Sequence, residues 1–203
     1  MIASHIHDAL AQVKRLQEVI LSKQFFRGYS GKARIISGSI ALAASAILDS
    51  KLVPYSPEAQ LAGWCVVLLA GLMVNYTALF YWFLFDPETR RNPVMLKPAL
   101  DAVPALAVGG VLTVTMILYE QFDMLFGIWM CLYGLAQTAY RQSLPRGIYL
   151  VGLGYIAAGA FCLIAPSISF LDPWPMGIVF FAGEWIGGIV LVLNETKTTK
   201  EQP

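Results

Sequence analysis

Charged side chains are scarce in this sequence: 13% of its 203 residues are Asp, Glu, Lys or Arg, about half the share of a soluble domain. That shortage leaves little for a solvated globular surface, and 57% of the residues are hydrophobic. Histidine is limited to His5 and His7, which fall on different sides of a helix. This spacing disfavours a two-histidine metal site, and their place in the N-terminal arm excludes bis-histidine haem ligation within the membrane. Cysteine is limited to Cys65, Cys131 and Cys162, without C-x-x-C spacing, and buried thiols of this kind behave as small apolar side chains. No lysine interrupts an apolar segment, which excludes a retinal Schiff base at membrane depth. The motifs H-E-x-x-H, G-x-S-x-G and the P-loop are missing, and Gly152-x-Gly154 lacks the rest of a dinucleotide fingerprint. These gaps point away from an enzyme, and no cofactor or metal is expected.

What the sequence does contain is six apolar segments, at roughly 35–48, 61–85, 102–119, 124–140, 148–165 and 176–193. A helix needs about 20 largely apolar residues to cross ~30 Å of hydrocarbon. The second segment meets that length, while the first, fourth and sixth fall short by several residues. Continuous apolarity argues against a β-barrel, whose strands alternate, and backbone amides in lipid must be paired within their own segment. The expected fold is all-α: a polytopic membrane protein of six transmembrane helices preceded by a cytoplasmic amphipathic helix. Residues 1–33 are expected to form that helix and an elbow, 34–194 the membrane domain, and 195–203 a cytoplasmic tail. Some 30 polar and amphipathic residues precede the first segment, which does not fit a signal peptide.

Cations sort to one side of this map. The N-terminal arm has Lys14, Arg15, Lys23, Arg27, Lys32 and Arg34; the even loops and the tail have Arg90, Arg91, Lys97, Arg141, Arg146, Lys197 and Lys200. Only Lys51 lies in an odd loop. Positive charge is retained in the cytoplasm on insertion, so both termini are expected there, in the inner (plasma) membrane of a bacterial cell. Anionic lipid accounts for the basic rim, making the bilayer the expected partner rather than nucleic acid.

Residues 3–26 are predicted to form the amphipathic helix. Ile2, Ile6, Ala9, Val13, Leu16 and Ile20 step by four and three, a heptad stripe. Such a helix can lie in the inner interface or pair with a second copy or another protein. Phe25 to Lys32 reads as an interfacial elbow, and Asp101, between Pro98 and Pro104, as a helix cap. Small residues crowd the first, fifth and sixth segments, including Gly183 and Gly187 at G-x-x-x-G spacing, which predicts close helix packing there. The aromatic-rich second segment is expected to meet lipid.

Glu184, near the middle of the sixth segment, is the leading candidate functional residue. A carboxylate at mid-membrane costs roughly 2.5–3.5 kcal/mol on insertion scales, so it should face the bundle or water. It can be a protonatable proton or ion site, or a neutral acid hydrogen-bonded between helices. Counting 1.5 Å per residue from each segment end sets Thr113, Thr115 and Ser45 at its depth. Asn75, Tyr155 and Gln137 form a second polar layer nearer the cytoplasm.

The stretch Ile6 to Leu21, then Gly28-Tyr29-Ser30-Gly31 running into Ile35-Ile36-Ser37-Gly38, resembles a family of small polytopic bacterial membrane proteins that begin with an amphipathic helix and a Ser/Gly-rich junction. The resemblance covers the first quarter of the chain and implies no activity and no site residues. Two functions fit the sequence. One is a non-catalytic membrane subunit or scaffold, its N-terminal helix docking a partner or a second copy, favoured because ionisable groups are so few in the segments. The alternative is a small transporter or ion-conducting protein that uses Glu184.

Overall fold

The computed structural model describes residues 28–86, 103–139, 144–165 and 167–200 (backbone only for 197–200), with single residues at 12, 96 and 100. The predicted helix at 3–26 and the cap at Asp101 lie outside the described residues. Those described are helical or in turns, and six helices longer than ten residues stand among them: α1 (Gly31–Leu48), α2 (Pro57–Phe85), α3 (Val103–Leu118), α4 (Leu125–Ala139), α5 (Arg146–Ile164) and α6 (Trp174–Lys200). Each coincides with one of the six apolar segments. α1 begins at Gly31, inside the stretch assigned to the elbow, and α6 continues to Lys200, through most of the stretch assigned to the tail.

Local chemistry explains the helix ends. Ser30 and Ser56 each accept a hydrogen bond from a backbone amide three residues on, at 3.3 Å, and Pro57 occupies the first turn of α2, where its missing N–H leaves no bond unmade. α3 ends in a Schellman motif: the Gln121 amide donates to Met116 O at 2.8 Å and the Glu120 amide to Ile117 O at 3.1 Å. Glu120 takes the left-handed conformation (φ 57°) that this motif requires. A 3-10 turn, Phe122–Met124, then leads into α4.

Four helices (α1, α2, α5 and α6 as far as Thr196) are long and apolar enough to cross a membrane. α3 and α4, with 16 and 15 residues, rise about 24 and 22 Å. The polarity of the bundle matches a lipid solvent. Ile36, Val66, Leu69, Met73, Phe80, Val111, Leu150, Ile178 and Leu193 are exposed, while Arg34, Gln60, Gln137 and Glu184 are buried. Apolar outside and polar inside, this is a membrane protein with transmembrane helices.

α1 lies along α6, and α4 along α5; α2 packs on α1, α5 on α6, and α3 on α4. The helices thus run α2–α1–α6–α5–α4–α3 around the bundle, with no extensive interface between α2 and α3 among the described residues. Glycines set the two long contacts. A Cβ on Gly188 would lie 2.6 Å from Gly31 O; one on Gly159 would lie 2.7 Å from Gly127 O; and one on Gly152 would lie 3.0 Å from Gly134 O. Close packing of α1, α5 and α6 follows the expectation from small residues, and α4 joins them through Gly127 and Gly134.

Hydroxyls complete the framework. The Asn75 side-chain amide donates to Ser37 Oγ (2.8 Å), the Trp185 indole to Ser39 Oγ (3.1 Å), and Ser45 Oγ to Pro173 O (3.2 Å). The serines that dilute the first apolar segment therefore tie α1 to α2, to α6 and to the turn before α6, as interhelical bonds in lipid commonly do. At the same end of the bundle the Asp123 carboxylate accepts from the Phe170 amide (2.7 Å), and Asp49 accepts from the Trp174 indole (2.9 Å).

Gly159→Ala is expected to lower unfolding stability in detergent by about 1–3 kcal/mol, because its methyl meets backbone on α4. Gly154→Ala, with nothing within 4 Å of the added atom, should change it little. Equal effects in a denaturant titration would refute backbone-level packing of α4 on α5.

Candidate functional site

Glu184 is buried (3% exposed) and does not stand alone. Arg34, 5% exposed, enters from the first turn of α1. Its Nη2 donates to Glu184 Oε1 at 2.7 Å and its Nε to Oε2 at 2.9 Å, the two-pronged geometry that suits guanidinium to carboxylate. Tyr133 Oη from α4 donates to Oε1 at 2.9 Å, and Tyr155 Oη from α5 does so at 3.1 Å. Arg34 Nη2 also donates to Gln137 Oε1 at 3.2 Å. One carboxylate thus receives four donor contacts, three on Oε1 and one on Oε2, and a single cluster joins α1, α4, α5 and α6.

Three glycines make the room. A Cβ on Gly187 would sit 2.9 Å from the Arg34 guanidinium carbon, and one on Gly38 would sit 2.8 Å from Glu184 Cβ. A Cβ on Gly183 would collide with the Tyr155 ring. The G-x-x-x-G pair of α6 therefore serves as two recesses, one for a phenol and one for a guanidinium. The Tyr133, Tyr155 and Phe180 rings pack against one another with centroids 5.0–5.2 Å apart, which fixes both phenols.

Beside the cluster lies a cavity of about 560 Å³, within the range that holds small ligands. Arg34, Tyr133, Gln137 and Glu184 form one end of its wall; Trp64, Phe126 and Phe170 form another region, packed edge-on and tilted at 5.6 and 4.9 Å. The remaining lining is mainly aliphatic and comes mostly from α2 and α3. Phe126 and Gln137 are eleven residues apart on α4, and Leu61 and Leu79 eighteen apart on α2, so the lining runs about 16 Å along α4 and about 27 Å along α2. Two buried N–H donors of lining residues, Gln137 Nε2 and Trp64 Nε1, have no partner.

The candidates read from sequence are distributed unevenly around this centre. Tyr155 and Gln137, assigned to a deeper layer, belong to the Glu184 cluster itself. Asn75 lies on the cavity wall and bonds Ser37 and Gly71 O. Thr113 also lines the cavity, donating to Gly109 O (2.7 Å) and accepting from the Trp129 indole (2.9 Å). The Thr115 hydroxyl turns back to Val111 O. Ser45, assigned to the depth of Glu184, packs against Pro173 and Gly177 at the opposite end of α1 from Arg34. Counting from segment ends mixed these levels because helices of 15 to 29 residues do not end at common heights. The sequence pattern does not single out Arg34 or Tyr133. A hydropathy boundary stops at a charge and leaves Arg34 in the arm, although a buried carboxylate calls for a cation and Arg34 is the cation next to the first apolar segment.

Removing one member strands the other's charge in the bundle, a loss of about 3–5 kcal/mol. Arg34→Met and Glu184→Gln should each destabilise by that order in detergent unfolding. The double variant, whose amide oxygen still accepts from both phenols, should be more stable than either single. Additive losses would show that the two residues do not act as a pair. Compared with known proteins, the chain matches no family model, no curated protein and no solved structure.

Proposed function

We propose that this chain is a six-span inner-membrane protein, both termini cytoplasmic, that binds a lipophilic small molecule inside its helix bundle. The observation that carries the binding reading is the cavity of about 560 Å³ ending on the buried Arg34–Glu184 pair. An apolar chamber with a few convergent polar groups is the usual form of a ligand site. Six helices matching six apolar segments support the span count, and the cations of the even loops and tail support the orientation. A proton or ion path through Glu184 would first require the Arg34 pair to open, whereas uptake of an uncharged molecule leaves it closed. The subunit or scaffold reading rests on residues 3–26, outside the described residues.

Gly71 and Gly110 line the cavity from α2 and α3, and a Cβ on either meets nothing within 4 Å. The double variant Gly71→Phe/Gly110→Phe should fold and fill the chamber. Native mass spectrometry of detergent-purified protein incubated with membrane lipid extract should then find a non-covalent adduct on wild type and lose it in the variant. An adduct retained equally by both would refute cavity binding. For orientation, in a background lacking native cysteines, Lys51→Cys should react with an impermeant maleimide in intact cells. Lys97→Cys should react only after permeabilisation, and the reverse pattern would overturn the proposed topology.

A further inference from the structure

Resting on that binding reading, we infer that the chamber opens sideways to lipid between α2 and α3, so that its ligand enters as a molecule dissolved in the bilayer hydrocarbon and not from water. The exposure of the lining residues locates the mouth. Those supplied by α1, α4, α6 and the turns are buried or half-buried, so facing the chamber does not by itself expose a residue. Cys65 and Leu68 of α2 and Gly110 of α3 line the same chamber and are exposed. A residue on both the inner wall and the outer surface marks the rim of an opening, and all three belong to the two flanking helices.

Packing leaves that rim unclosed. α2 and α3 share no extensive interface among the described residues, although both supply wall to the chamber. Gly71 and Gly110 bring no side chain to it, and a Cβ on either would meet nothing within 4 Å. The polar bonds of the two helices point elsewhere: Asn75 and Gln60 hold α2 to α1, and Thr113 holds α3 to α4. α2 and α3 can therefore part without breaking any of these bonds. Depth sets what lies outside the mouth. Gly110 is seven residues from one end of α3 and eight from the other, and Cys65 and Leu68 are eight and eleven residues into α2. Each is thus about 10–17 Å from the nearer end of its helix. Around them Val66, Leu69, Met73, Val108, Val111 and Val114 are exposed; α3 has no charged residue, and α2 has Glu58 alone, in its first turn. An apolar rim at that depth sits within the ~30 Å of hydrocarbon, where lipid chains meet it and an ionised group would be costly to bring.

The test uses wild-type protein in phosphatidylcholine vesicles and two photoreactive probes. One is phosphatidylcholine with a diazirine at the middle of one acyl chain; its headgroup stays at the interface, so the chain reaches the chamber only sideways. The other is a free aryl diazirine dissolved in the membrane, which reports chamber occupancy by any route. After irradiation, adducts are mapped by peptide mass spectrometry. Leu132, Tyr133 and Phe180 line the chamber, while Met73 and Val111, on the outer surface, report ordinary lipid contact. Both probes should modify both sets, and Gly71→Phe/Gly110→Phe should lose the chamber adducts and keep the outer ones. The wild-type comparison decides even where that variant fails to fold. If the tethered probe modifies only the outer set while the free diazirine reaches the chamber, the lateral opening is refuted and cavity binding stands. If neither probe modifies the chamber residues of wild type, the lateral opening and cavity binding fall together.

Discussion

A carboxylate inside a hydrocarbon-solvated bundle is tolerable only with its charge matched and its oxygens hydrogen-bonded, and the rest of this structure is arranged around meeting that demand at Glu184. Arg34 supplies the charge and two donors, and Tyr133 and Tyr155 supply two more. Because the four groups come from α1, α4, α5 and α6, satisfying one side chain fixes the mutual height and rotation of four helices. The glycines at 38, 183 and 187 are part of the same solution: methyl groups there would push the guanidinium, the carboxylate stem or the phenol ring out of reach. Lipid does not drive helices together as water does, so packing and polar bonds of this kind decide which faces meet.

The same economy of polar contacts recurs away from the pair. Serines of α1 reach α2, α6 and the turn before α6, and the acids of the turns at the far end hold a backbone amide and an indole. α2 and α3 lie outside the Arg34–Glu184 cluster, α2 bonding α1 through Asn75 and Gln60 and α3 bonding α4 through Thr113. They pack on α1 and α4 respectively and present much of their surface outward or to the cavity. The bundle therefore combines a four-helix core locked by ionic and hydrogen bonds with two flanking helices whose contacts are mainly apolar. Such a division suits a chamber that admits a molecule between the flanking helices while the polar end stays fixed.

Much of this is legible in the sequence. The apolar segments locate all six helices, although α6 runs on to Lys200 through most of the stretch assigned to the tail, and burial of Glu184 follows from the energetic demand on a lone acid in lipid. Tyr155 and Gln137 were recognised as polar candidates but set too deep, and Ser45 was set level with an acid from which it is well separated. Those errors share one origin: depth along a helix was counted from apolar boundaries, and boundaries reflect composition rather than the height at which a neighbour begins. Arg34 illustrates the point most directly. It reads as the last cation of a cytoplasmic arm, yet α1 starts three residues before it and carries it into the bundle.

Composition and periodicity by themselves determined the helical class, the number and positions of the apolar helices, and the clustering of small residues, because each depends on local spacing and on transfer from water to lipid. Only the tertiary structure decided that Arg34 pairs with Glu184, 150 residues away, that two phenols share that carboxylate, and that a cavity lined largely by α2 and α3 ends beside that pair. These depend on the relative height and rotation of separate helices. No local pattern encodes that information, since it arises when all the helices pack at once.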